Sequence, residues 1–169
     1  SQRLDGLTYT QRHGLIRGMR RQGGLGFLPA ILAGGDRETA EHAFLRSLDL
    51  SGRVVYEIGA FQGILTLFFS SRAQEVIAWE PNPPSYGRVM RNLRLNGRTN
   101  VRVRNFAVGD RPGTLTLLSD PLMPGGTSGD PAGGTGMRRS PCGFVRCGPC
   151  AEMRRTGGEP RPHSSVGRT

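Results

Sequence analysis

Apolar and polar positions along the chain fall into three regimes. Between residues 36 and 120 short apolar runs alternate with amphipathic stretches, whereas the segment before is basic and Gly-rich and the segment after is nearly devoid of branched apolar side chains. The sharpest run is Val54-Val55-Tyr56-Glu57-Ile58, followed by Gly59-Ala60-Phe61-Gln62-Gly63 and then Ile64-Leu65-Thr66-Leu67-Phe68-Phe69. An apolar run of that length bounded by glycine suits a strand of a parallel sheet. It predicts a buried strand over 54–58, a tight turn, and a helix to about residue 72 whose Leu65, Phe68 and Phe69 cover one sheet face. A second apolar run ends at Trp79, predicting a strand over 76–79. The short connection makes the pair a right-handed βαβ unit.

The flanking patterns extend this unit. Asp36 is placed to cap a helix reaching about residue 48, with Ala40, Phe44, Leu45 and Leu48 on the face expected to pack on the sheet. His42 on that helix reads as a solvated surface residue rather than a catalytic one. After Pro83 and Pro84, Ser85 can cap a third helix carrying Tyr86, Val89, Met90 and Leu93 as its apolar stripe, and Asn96-Gly97 stops it. Val101 and Val103 alternate with Arg102 and Arg104, the period of a half-buried strand at the outer edge of the sheet. Residues 109–113 read as a turn, and 114–118 as a further strand paired antiparallel. Ahead of all this, residues 9–21 read as a short helix and the glycines from Gly23 to Gly26 as a connector, since no Lys-Ser/Thr follows them as in a phosphate loop.

From Pro121 onward the 49 remaining residues include 11 Gly and 7 Pro, with Phe144 the sole aromatic, so the segment cannot bury enough apolar surface to offset its ordering entropy. It is expected to be disordered. All three cysteines lie here, and Cys147-Gly148-Pro149-Cys150 has the form of a redox tetrapeptide. Such a pair needs a strand before it and a helix after it, which this context does not provide. Cys142, Cys147, Cys150 and His163 are irregularly spaced for zinc, so no metal is expected. The composition suits a frame-shifted continuation: a Cys codon read one base upstream encodes Leu, Val or Met.

Composition adds little beyond charge. All 23 basic residues are Arg against 13 acids, a net charge of +10, which points to GC-rich coding more than to selection for a polyanion partner. No Arg-rich face with interleaved aromatics is visible in the sequence. A length of 169 residues leaves room for one main domain, and no apolar stretch reaches membrane-spanning length. With no charged-then-apolar leader, a cytoplasmic location is expected, and the missing initiator Met suggests a trimmed or incomplete start.

The candidate chemistry sits at the glycine turn. Gly59 and Gly63 let backbone approach a ligand at a helix N-terminus. Their spacing departs from the dinucleotide G-x-G-x-x-G pattern and points to S-adenosylmethionine rather than NAD. Glu80 closes the second strand, where a carboxylate can accept both ribose hydroxyls of a nucleoside.

These motifs, with Trp79-Glu80-Pro81-Asn82-Pro83, Asn92-Leu93-Arg94-Leu95-Asn96-Gly97 and Asn105-Phe106-Ala107-Val108-Gly109-Asp110, resemble the successive signatures of FkbM-type S-adenosylmethionine-dependent methyltransferases over roughly residues 36–120. The resemblance implies an α/β, Rossmann-like class I methyltransferase fold and O-methylation of a hydroxyl on a sugar or secondary metabolite. It implies that Gly59, Ala60 and Gly63 approach the methionine part of the cofactor, that Glu57 orients the turn or meets the ammonium group, that Glu80 supported by Asn82 takes the ribose, and that Asn105 and Phe106 flank the adenine.

The fold is expected to be incomplete: three strands with their helices plus a hairpin strand, organised as an N-terminal segment 1–35, a partial methyltransferase domain 36–120 and the tail 121–169. The first strand would then show an open edge, and the chain would be inactive or nearly so. No residue stands out as catalytic base. The expected partner is a small-molecule or glycan hydroxyl acceptor, with nucleic acid and membrane disfavoured. The alternatives are a non-catalytic basic α/β module binding RNA or another polyanion, and an NAD-linked enzyme.

Overall fold

A computed structural model describes residues 7–23, 39–109, 113–119, 127–128 and 138–146. Its centre is a parallel three-stranded sheet in the order β3-β4-β5, formed by β3 (Val54–Ile58), β4 (Glu75–Trp79) and β5 (Val101–Arg104). Helix α2 (Ile64–Ser70) joins the first pair and α3 (Pro83–Leu95) the second, so both connections are strand-helix-strand crossovers. This is the mixed α/β architecture that the alternation of runs predicts, with β5 on the outside of the described sheet as expected.

The buried strand is β4 rather than β3. Val76, Ile77 and Ala78 of β4 are fully buried, whereas Val54, Val55 and Tyr56 are half-buried and Ile58 is 62% exposed. Position in the sheet is the cause: β4 has a neighbour on each side, and β3 has β4 on one side with no strand on the other among the described residues. Alternation divides β4 between two faces. Val76 and Ala78 join Leu67 and Phe68 of α2 and Val89 and Leu93 of α3 in the core. Trp79 lies on the opposite side, stacked on Tyr56 at 6.1 Å between ring centroids. Truncating a side chain as enclosed as Phe68 would cost about 3–5 kcal/mol.

The ends of α3 follow two different rules. It starts at Pro83, whose fixed φ suits a first helical position, with Asn82 as N-cap, so Ser85 is not the cap but a buried residue of the first turn. Gly97 at φ +60 ends it as expected, its N–H donating to Arg94 O while that of Arg98 reaches Leu93 O, a Schellman closure.

The N-terminal segment is a hairpin, not a helix. β1 (Leu7–Thr10) pairs antiparallel with β2 (Arg20–Gly23), and the loop between them places Leu15 and Ile16 in the core. Gly14 and Gly18 take positive φ in that loop, a conformation a helix over 9–21 does not contain. Helix α1 (Ala40–Ser47) also departs from expectation. Its N-cap is Thr39, whose hydroxyl accepts the His42 N–H, while Asp36 lies outside the described residues. None of its residues is fully buried, and Phe44 is 63% exposed. Of the expected apolar face Leu45 reaches the core, and polar bonds fasten the rest: Arg46 donates to Gly14 O, and Arg72 donates to Arg46 O and Leu48 O. His42 is half-buried rather than solvated, with Nδ1 enclosed and without a hydrogen-bond partner.

A second sheet runs β6-β9-β7-β8, from β6 (Ala107–Gly109), β7 (Gly113–Ser119), β8 (Thr127–Ser128) and β9 (Arg138–Arg146). β7 pairs antiparallel with β8 and β9, as expected for the strand over 114–118. Two stretches of the segment expected to be disordered are therefore strands. A strand added to an existing ladder needs backbone partners, not a core of its own, and β9 finds them in β6 and β7. Cys142 falls within β9, whereas Cys147, Cys150 and His163, the connector from Gly24 and the turn residues 110–112 lie outside the described residues.

Candidate functional site

The turn after β3 is built on left-handed backbone. Gly59 has φ +86, Phe61 +50 and Gly63 +77, so the chain reverses tightly within five residues. The N–H groups of Gly59 and Ala60 both donate to Trp79 O, which holds the turn against the end of β4. The two glycines serve different ends. A Cβ built on Gly59 would meet nothing within 4 Å, so this backbone faces open space. One built on Gly63 would lie 3.2 Å from Val89 Cγ1 and 3.4 Å from Val89 Cα, so this glycine permits close approach of α2 and α3.

Two buried carboxyl groups flank the turn. Glu80 leaves the end of β4 with Oε2 accepting the Phe61 N–H at 2.6 Å and Oε1 accepting the Asn82 N–H at 2.8 Å. Burial raises its pKa, and the two backbone donors oppose the rise. Glu57 is raised chiefly by burial and further by the nearby charge of Glu80, with Thr66 pulling the other way. Its Oε2 is enclosed and without a hydrogen-bond partner of good geometry, and the Thr66 hydroxyl lies close by. An acid pair held in this way suits a ligand that brings hydrogen-bond donors and positive charge.

The remaining expected residues divide. Ala60 is buried within the turn, and Asn82 is buried with its N–H on Glu80. Asn105 Nδ2 donates to Glu80 O at 2.7 Å and Pro81 O at 3.1 Å, so its amide clasps the loop after β4 to the end of β5. Phe106 follows, half-buried. The structure thus gathers Glu57, Gly59, Ala60, Glu80, Asn82 and Asn105 around the ends of β3 and β4, while Gly63 faces α3.

A third set of contacts has no counterpart in the sequence reading. Buried Arg21 of β2 donates from Nη2 to Gln62 Oε1 at 2.7 Å and lies over the Tyr9 ring at 5.6 Å. Asn92 of α3 donates to Gln62 O at 2.9 Å and accepts the Gln22 N–H at 2.7 Å. The hairpin is thereby tied through one glutamine to the glycine turn. No local pattern announces contacts between positions this far apart in the chain. Among the described residues no group of three His, Cys, Asp or Glu side chains is placed to hold a metal, and no helix is long and apolar enough to cross a membrane.

No family model and no curated protein matches this chain. Among solved structures it is similar to one described as "Putative methyltransferase yhhF from Escherichia coli", at 16% identity over 60% of this chain and 53% of that chain, with a TM-score of 0.41. The chain spans about half the length of that structure.

Proposed function

We propose that the chain is a methyltransferase of the FkbM type, binding S-adenosylmethionine at the glycine turn and methylating a hydroxyl on a sugar or secondary metabolite. The observation that carries this reading is the pairing of open space over Gly59 with two buried carboxyl groups at the ends of adjacent strands, one of them with an orphaned oxygen. A buried oxygen left without a donor costs free energy that a ligand N–H can recover. The cofactor's ammonium group and ribose hydroxyls are donors, and its two positive charges favour ionised carboxylates. The residues present therefore fit it.

In this reading Glu57 meets the ammonium, Glu80 accepts the ribose hydroxyls through lone pairs not used by Phe61 and Asn82, and Asn105 with Phe106 borders the adenine. When bound, the sulfonium supplies an activated methyl group. The protein's part is alignment of an in-line attack, for which a fixed turn and a clasped loop are suited. Equilibrium dialysis of the full chain against labelled S-adenosylhomocysteine tests the reading without knowledge of the acceptor. Saturable binding that S-adenosylmethionine competes and NAD does not is expected. Absence of binding at millimolar ligand, or displacement by NAD, overturns it.

A further inference from the structure

We propose that the cleft between the N-terminal hairpin and α3 is a binding surface for the phosphate backbone of a nucleic acid, separate from the glycine turn. The cleft has a volume of about 370 Å³ and is lined by Thr8, Arg20, Gln22, Arg91, Arg94 and Leu95. Three of these six side chains are guanidinium groups and none is an acid. Arg20, Arg91 and Arg94 are all exposed, and none of the three guanidinium groups has a carboxylate partner among the described residues.

The surroundings strengthen the field. Besides the cleft arginines, residues 7–23 hold Arg12 and Arg17 and residues 82–98 hold Arg88 and Arg98, with no Asp or Glu in either segment, while buried Arg21 is directed to Gln62 and Tyr9. Charges of one sign from two elements, with no acid interleaved, raise the local concentration of polyanions. The hairpin is locked to α3 through Asn92 and Asn96, so the arginines are presented on a fixed frame. Arg91 and Arg94 stand three residues apart on one helix face, about 5–6 Å between Cβ atoms, and address two anionic groups in series rather than one.

An open cleft with three exposed guanidinium groups suits a chain with repeated phosphates. Among the described residues no aromatic ring lines the cleft, so its contacts are to phosphate rather than to bases, and recognition is independent of base sequence. The sequence hid this surface because Arg20 lies far from Arg91 and Arg94 along the chain.

Fluorescence anisotropy of the full chain with a short labelled uridine homopolymer tests the proposal, in the absence of S-adenosylmethionine so that failure of the cofactor reading leaves the result intact. Affinity is expected to fall steeply between about 50 and 200 mM salt. Arg91→Glu is expected to weaken binding about tenfold and lower the salt slope by about 1, whereas Arg53→Glu, the same charge change at an exposed site outside the cleft, changes affinity less than about twofold. Arg94→Ala serves as a second variant should Arg91→Glu fail to fold, with a smaller loss expected. Equal losses from the cleft and control variants would assign binding to net charge and overturn the proposal. So would displacement of the RNA by inorganic phosphate at concentrations too low to act through ionic strength, which would make the cleft a site for a small phosphorylated ligand.

Discussion

The N–H of Phe61 donates to Oε2 of Glu80 at 2.6 Å, from the one non-glycine residue with positive φ among the described residues. Left-handed backbone at a bulky residue costs roughly 1 kcal/mol or more, and a bond to a buried carboxylate offsets it. Glu80→Gln tests this coupling. An amide has one acceptor oxygen, so its NH₂ would have to face the N–H of either Phe61 or Asn82. Urea unfolding is expected to show a loss of about 1–3 kcal/mol. An unchanged midpoint would mean that the turn does not need a carboxylate at its base.

Gly59 and Gly63 separate backbone strain from packing. Both have positive φ, so alanine at either is strained by a similar amount, about 1–2 kcal/mol. At Gly63 the new methyl would also press on Val89, with Cγ1 at 3.2 Å and the less yielding Cα at the limit of ordinary contact. Gly63→Ala is therefore expected to be the less stable variant by about 1 kcal/mol or more. Gly59→Ala, whose methyl enters open space, is expected to retain more stability and yet lose at least about tenfold in S-adenosylhomocysteine affinity, about 1.4 kcal/mol. The reverse ranking in either measurement would contradict these assignments.

Much of the central βαβαβ unit was legible because its signals are local. The apolar runs at Val54 and Val76, the positive-φ glycines and the Asn96-Gly97 stop each act within a few residues. What was not legible depends on partners distant in the chain. Nothing near Tyr9 says that it stands in a strand opposite Arg21, and nothing near Phe44 says that its helix face is left exposed. The site shows the same division. Glu57 and Glu80 could be named from strand ends, but the task of Gly63 is set by Val89, and that of Asn105 by the carbonyls of Glu80 and Pro81. Arginines gathered by tertiary structure leave no local pattern.

Glu57 and Glu80 make the apo fold sensitive to pH in a direction opposite to that of a salt-bridged acid. Both pKa values are raised by burial, so the folded chain holds these protons at a pH where the unfolded chain has released them. Their contribution to stability is full below the ordinary glutamate value and is lost as pH rises through the folded value. Glu57→Gln removes the buried charge and keeps the shape of the side chain beside Thr66. Thermal unfolding at neutral pH is expected to show a higher Tm, by about 2–4 °C per kcal/mol recovered, and the decline above the glutamate range should become shallower. A lower Tm, with pH dependence unchanged, would show that Glu57 is not held at the expense of the fold.

Asn92 and Asn96 dock the hairpin on α3 as substitutes for a neighbouring strand. Asn96 accepts the Arg20 N–H and donates to Arg20 O, a two-bond amide pair of the kind a β-ladder makes. Asn92, one helical turn earlier, accepts the Gln22 N–H and donates to Gln62 O. The two differ in surroundings: Asn92 is 1% exposed, and water reaches the Asn96 contacts. Asn92→Ala leaves a peptide N–H and a carbonyl inside the protein without partners, at about 1–3 kcal/mol, whereas water replaces Asn96 at about 1 kcal/mol or less. Amide hydrogen exchange is the appropriate readout because the hairpin can open while the sheet stays folded. In Asn92→Ala the Gln22 amide is expected to exchange at least about tenfold faster, with the amides of β4 following only the smaller change in global stability. Equal acceleration of β2 and β4 would mean that hairpin and sheet unfold as one unit, and that the asparagines stabilise the whole domain rather than a separable contact.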